Sequence, residues 1–143
     1  MPYRYIPDIA IADIAFEATG ESLEELFAAA ADATVNVMVE DLSTVHPREP
    51  VTVNLTHNEI DLLLFDFLNE FIYFKDARQL LLRVVNISIL DDGEVFTLDA
   101  TLRGEQLDPA RHVLKVDVKA VTLHRFDVSR TAGGWKATVV LDI

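Results

Sequence analysis

At 143 residues, half of them hydrophobic and a quarter charged, the chain has a soluble globular composition with too much apolar content for an intrinsically disordered protein. Its formal net charge of −12 opposes sequence-independent binding to nucleic acid, where Lys and Arg must meet phosphates, and suits a metal ion or a basic protein surface instead. With no cysteine, thiol catalysis, disulfides and thiolate-bound zinc or iron–sulfur centres are excluded.

The length fits one domain over residues 1–143. No basic start followed by an apolar stretch marks an export signal, and no apolar run reaches the ~18–20 residues of a membrane span, so the expected location is the cytoplasm.

Residues 3–19 read as a strand covered on both faces, because Ile9 to Ala12 and Ile14 to Phe16 are apolar on both parities, with Asp13 interrupting. Ser22 and Glu25 form a Ser-x-x-Glu capping box. Leu23, Leu26, Phe27, Ala30, Thr34, Val37 and Met38 then recur at helical spacing, predicting an amphipathic helix through about Val39. Asp41 to Pro50 reads as a loop, and Val51 to Leu55 as a short strand. Thr56 and Glu59 repeat the capping pattern and open a second helix, Glu59 to about Ala77, apolar over most of its circumference and therefore central. Leu80–Leu90 and Val95–Leu102 flank Asp91-Asp92-Gly93-Glu94, a β-hairpin signal. Gly104–Arg111 reads as a polar loop. Val116, Val118, Ala120 and Thr122 alternate with Lys115, Asp117 and Lys119 as a half-exposed strand, continued by Phe126 and Val128. Gly133-Gly134 turns the chain into a last strand that finishes at Asp142-Ile143 without a polar tail, so the end itself reads as part of the fold. About seven strands and two main helices predict an α+β domain with a mostly antiparallel or mixed sheet packed on the helices.

The common catalytic signatures do not occur: there is no GxGxxG, P-loop, GxSxG or HExxH. His46 and His57 read as loop and helix-start residues. His112 and His124 share parity at the two ends of the same strand face, where Arg111, Lys115, Lys119 and Arg125 also gather. That face is either solvated or a contact surface, and without interleaved aromatic rings it suits a protein partner better than single-stranded nucleic acid. Asp13 demands more explanation. A carboxylate inside an apolar strand costs several kcal/mol unless paired or coordinated. Asp142 stands in a comparable setting on the last strand. If the first and last strands are neighbours, Asp13, Asp142 and the Ile143 carboxylate converge and repel one another unless a hard cation such as calcium or magnesium intervenes; otherwise each reaches solvent or backbone N–H donors separately.

Five segments in order carry a family resemblance: Ala12-Asp13-Ile14-Ala15-Phe16-Glu17-Ala18, Ser22 through Phe27, Asp66 through Glu70, Arg111-His112 through His124, and Gly133-Gly134-Trp135 through Ile143. Over nearly the whole chain the sequence resembles archease. The resemblance implies a non-enzymatic, chaperone-like activator of the GTP-dependent RtcB-type RNA ligase of tRNA splicing, promoting ligase guanylylation and multiple turnover without binding RNA itself. It also implies a divalent metal site, calcium or magnesium, at Asp13, Asp142 and Ile143, and a functional patch around Lys119 with His112, Lys115 and His124. One departure is that the family commonly has histidine where this chain has Ala10. The alternatives are a small metal-dependent hydrolase using the same acids, and a general chaperone of RNA-modifying enzymes.

Overall fold

A computed structural model of the chain describes residues 2–7 and 13–143. The expected apolar run Ile9 to Ala12, with Ala10, lies outside the described residues. Among the described residues, two antiparallel sheets and two α-helices, with a single 3-10 turn at Leu42–Thr44, make up the fold. The strands are β1 (Tyr3–Ile6), β2 (Asp13–Gly20), β3 (Glu49–His57), β4 (Leu80–Asp91), β5 (Phe96–Gln106), β6 (Ala120–Thr131) and β7 (Gly134–Asp142); the helices are α1 (Leu23–Met38) and α2 (Ile60–Arg78). One sheet has the order β1-β2-β7-β6 and the other β3-β5-β4. The α+β reading with seven strands and two helices therefore holds, with the strands divided between two sheets.

Each helix touches both sheets: α1 packs on β2, β7 and β4, and α2 on β6, β3, β4 and β5. This explains why α2 is apolar nearly all round and why α1 is more thoroughly buried than an ordinary amphipathic helix. The run Ala28 to Ala31 and Ala33 lets α1 lie close to its neighbours. The largest fully buried side chains fill one core, with Phe16, Phe27, Phe67 and Phe71 coming from β2 and both helices and Leu80, Leu81, Leu82 and Leu98 from β4 and β5.

The first capping box forms as expected. The Ser22 hydroxyl accepts from the Glu25 amide at 3.1 Å, and the Glu25 carboxylate accepts from the Glu21 amide at 2.8 Å. Ser22→Ala should lower stability by roughly 1 kcal/mol, read from a denaturant midpoint shifted at unchanged slope. The second box does not form. Thr56 and His57 are the last residues of β3, Glu59 caps α2 without a side-chain bond, and His57 Nδ1 instead accepts the Glu59 amide at 3.1 Å.

Three further expectations are corrected. Within the span 3–19 the described residues form two strands, β1 and β2, of one antiparallel pair, Tyr3 opposite Ala18 and Ile6 opposite Ala15. Gly104 belongs to β5, the central strand of its sheet, opposite both Glu49 and Leu82. Only glycine fits there, since a Cβ would stand 1.7 Å from the Leu81 carbonyl oxygen. Residues 113–119 form no strand despite their alternation. They run as a strap across the end of α1, where the Lys115 amide donates to Met38 O at 2.9 Å, the Val116 amide to Val37 O at 3.3 Å, and the Glu40 amide to Val113 O at 2.9 Å. The strap thereby satisfies helix-terminal carbonyls that have no partner within the helix, and β6 begins only at Ala120.

Candidate functional site

The last strand is central in its sheet. β7 opens at Gly134, where a Cβ would stand 2.2 Å from the Gly20 carbonyl oxygen, so glycine is required for β7 to meet the start of α1. From there β7 pairs with β2 over eight consecutive positions, Gly20 opposite Trp135 at one end and Asp13 opposite Asp142 at the other. Val139, Val140 and Leu141 are fully buried and hold the strand in the core, while Asp142 emerges half-buried at its end.

Residues directly opposite in an antiparallel pair project to the same face with Cβ atoms about 4.5–5.5 Å apart. Register alone therefore brings the Asp13 and Asp142 side chains together. Among the described residues no ion pair offsets either carboxylate. Asp13 is half-buried rather than enclosed, because it opens β2. Two hard oxygen donors on one face match calcium or magnesium in kind. Side chains alone do not complete such a site: among the described residues no group of three or more His, Cys, Asp or Glu side chains could hold a metal ion. Ile143 is half-buried against the core beside Asp142.

The expected patch residues do not share one setting. Lys119 is exposed next to the pair, and its amide donates to Asp142 O at 2.8 Å just before Ala120 pairs opposite Asp142. Lys115, also exposed, faces the same cavity of about 390 Å³ as Asp13, a cavity otherwise walled mainly by Tyr5, Ile14, Val37 and Val116. His124 is exposed on β6 within the irregular stretch between Thr122 and Asp127, where Arg125 takes a φ of 55°.

His112 belongs elsewhere, which corrects its placement on an exposed strand face. It is 2% exposed. Its Nδ1 accepts the Asp108 amide at 2.9 Å, which leaves the proton on Nε2 to donate to Glu105 Oε1 at 3.0 Å. Arg111 turns inward to the same carboxylate, joined by Arg48 Nε at 3.2 Å and the His46 amide at 3.0 Å. Burial by itself would raise the Glu105 carboxyl. The hydrogen bonds from Arg111, His46 and His112, with the charge of Arg111, outweigh burial and hold its pKa down to about 2.

Lys75 was not among the expected site residues. It continues the buried face of α2 four residues after Phe71 and three after Ile72, where an apolar residue is expected, and it is 7% exposed. Its ammonium donates to Val118 O at 2.9 Å, to Asp76 at 2.7 Å and to Asp117. Burial by itself would lower the Lys75 pKa; the hydrogen bonds it donates to Asp117 and Asp76, with their negative charges, outweigh burial and hold the pKa above its ordinary value. The available sequence signal was a cation at a core position.

Fold and site together define a small α+β protein of two antiparallel sheets around two helices, with a cross-strand acidic pair at one end bordered by exposed lysines. The model of the Archease protein family (MTH1598/TM1083) matches residues 3–143. "Protein archease" of Methanosarcina mazei is 35% identical over 143 residues, covering 99% of this chain and 95% of the relative. That of Archaeoglobus fulgidus is 35% identical with all of both chains covered. The solution structure of protein 1598 of Methanobacterium thermoautotrophicum superposes with a TM-score of 0.85 at 31% identity, over 99% of each chain. A Thermotoga maritima crystal structure, described as an archease and possible chaperone, shares the fold at a TM-score of 0.61 and 24% identity over 96% of each chain. The chain belongs to the archease family.

Proposed function

We propose that this protein is a non-catalytic, metal-binding activator of a GTP-dependent RNA ligase of the RtcB type, promoting guanylylation and multiple turnover of the ligase in tRNA splicing. The observation that carries the reading is the register that sets Asp13 opposite Asp142, with the Lys119 amide on the Asp142 carbonyl, in a chain of the archease family. Asp13, Asp142 and the α-carboxylate at Ile143 would hold calcium or magnesium, which offsets carboxylates that otherwise repel one another. Lys115, Lys119 and His124 would meet the ligase. A net charge of −12 suits a visitor to a basic RNA-binding enzyme better than a binder of RNA. The description of the Thermotoga relative as a possible chaperone agrees with a helper role.

The test is multiple-turnover ligation by a cognate ligase with GTP and a divalent metal. Added protein should raise turnover, and no gain with an active ligase overturns the proposal. Product formed from phosphoesters or RNA by this protein alone would favour a metal-dependent hydrolase instead. Within the same assay, a few residues appended after Ile143 should impair activation and calcium affinity more than an N-terminal extension of equal length. Equal tolerance of both would remove the Ile143 carboxylate from the site.

A further inference from the structure

The strap of residues 113–119 is held at two places. Its first half is docked on the end of α1 through the amides and carbonyl of Val113, Lys115 and Val116. Its second half, Asp117-Val118, has no strand partner, and the side chain that grips it is Lys75. A lysine ammonium has three donors. Here they go to the Asp117 carboxylate, the Val118 carbonyl at 2.9 Å and Asp76 at 2.7 Å, so none is left over. Asp117 itself stays 66% exposed, so the tie pins the strap from inside without enclosing an ion pair. The residue that follows, Lys119, donates its amide to Asp142 O at 2.8 Å. Burying an ammonium costs more than burying a methylene chain of similar length, and core packing alone would be met by methionine or leucine at this position.

We infer that Lys75 is a positioning residue for the acidic-pair site, holding Asp117 and Val118 so that Lys119 meets the Asp142 carbonyl and stands beside Asp13 and Asp142. The inference rests on reading that pair as the functional site, but its structural half can be measured apart from it. The coupling is local. Lys75 fixes two consecutive strap residues, the next residue is bonded to Asp142, and Asp142 is opposite Asp13.

The experiment compares Lys75→Met, which keeps the volume and removes the cation, with Lys75→Arg, which keeps the cation, and with Asp117→Ala, which frees one arm of the tie from the solvent side. Amide exchange is followed residue by residue, and calcium chloride is titrated into each protein by calorimetry. In Lys75→Met the Lys119 amide should exchange about tenfold faster or more, the scale of one hydrogen bond, with core amides of α1 and α2 unchanged. Calcium affinity should fall by about tenfold, as when groups behind metal ligands are altered. Lys75→Arg should restore most of both, and Asp117→Ala should fall between. An unchanged Lys119 amide in Lys75→Met and Asp117→Ala overturns the inference. So does a loss of protection spread evenly over α2, which would make Lys75 a packing residue only. If the unsubstituted protein takes up no calcium, the metal reading fails, and the Lys119 exchange rate still decides the role of Lys75.

Discussion

Asp13→Asn and Asp142→Asn should each stabilise the protein in metal-free buffer and destabilise it, relative to the unsubstituted chain, in millimolar calcium. The inversion follows from the register. Two carboxylates directly opposite in β2 and β7 repel one another, and like charges at such positions are destabilising by roughly 0.2–1 kcal/mol. Neutralising either removes that repulsion when no cation is present. With calcium bound, the unsubstituted protein gains stability in proportion to the logarithm of calcium over its dissociation constant, and the variants lose most of that gain. Alterations behind metal ligands already cost about 10–100-fold in affinity, so losing a ligand should cost at least about 100-fold. Thermal unfolding with and without calcium reads the sign directly. Both variants should also lose ligase activation while keeping native circular dichroism. Stabilisation by the substitutions in both buffers would show that the pair repels but holds no ion.

The second large effect is expected at Glu105. Glu105→Ala removes the common acceptor of Arg48, Arg111, His112 and the His46 amide. His112 is fully enclosed, and its Nε2–H loses its carboxylate partner and keeps only the Thr44 carbonyl oxygen at 3.2 Å. The cost should be about 2–4 kcal/mol, below that of stranding a wholly buried ion because Arg48 and Arg111 still reach solvent. The pH dependence has a definite sign. The folded carboxyl has a pKa held down to about 2, against an ordinary 4.5, so its contribution is complete above about pH 4.5 and is lost as pH falls toward 2. Urea unfolding of the unsubstituted protein should weaken through that window. Glu105→Gln should be less stable at neutral pH and flatter across the same window. Parallel pH profiles would deny Glu105 this role. The consequence reaches the acidic-pair end of the molecule, since the segment that His112 and Arg111 anchor leads directly into the strap carrying Lys115 and Lys119.

Elements with a local cause were legible in the sequence. Ser22 and Glu25 form the cap their spacing predicts, Asp91 and Asp92 accept amides from Gly93, Glu94 and Val95 in the expected hairpin turn, and the α2 stripe is buried. The neighbouring errors share one physical origin. Thr56 has the right spacing for a cap, but β3 continues through His57 because its ladder with β5 extends to the pair His57 and Phe96. The strap has the alternation of a strand, but its backbone groups are taken by the end of α1 and by Lys75. Arg111 and His112 have the composition of a surface patch, but they turn inward to a carboxylate that follows a glycine inside a central strand.

For the site, the sequence by itself determined which residues needed explaining: two aspartates in apolar strands, a gathering of basic residues around Lys115 and Lys119, and no catalytic motif. It did so because burying charge is costly wherever the chain goes. Only the tertiary structure decided that Asp13 and Asp142 are opposite one another, that His112 is buried on Glu105, and that Lys75 holds the strap. Strand neighbours, and the direction a loop's side chains take, are set by contacts between residues far apart in the chain, and spacing along a single segment carries no record of them.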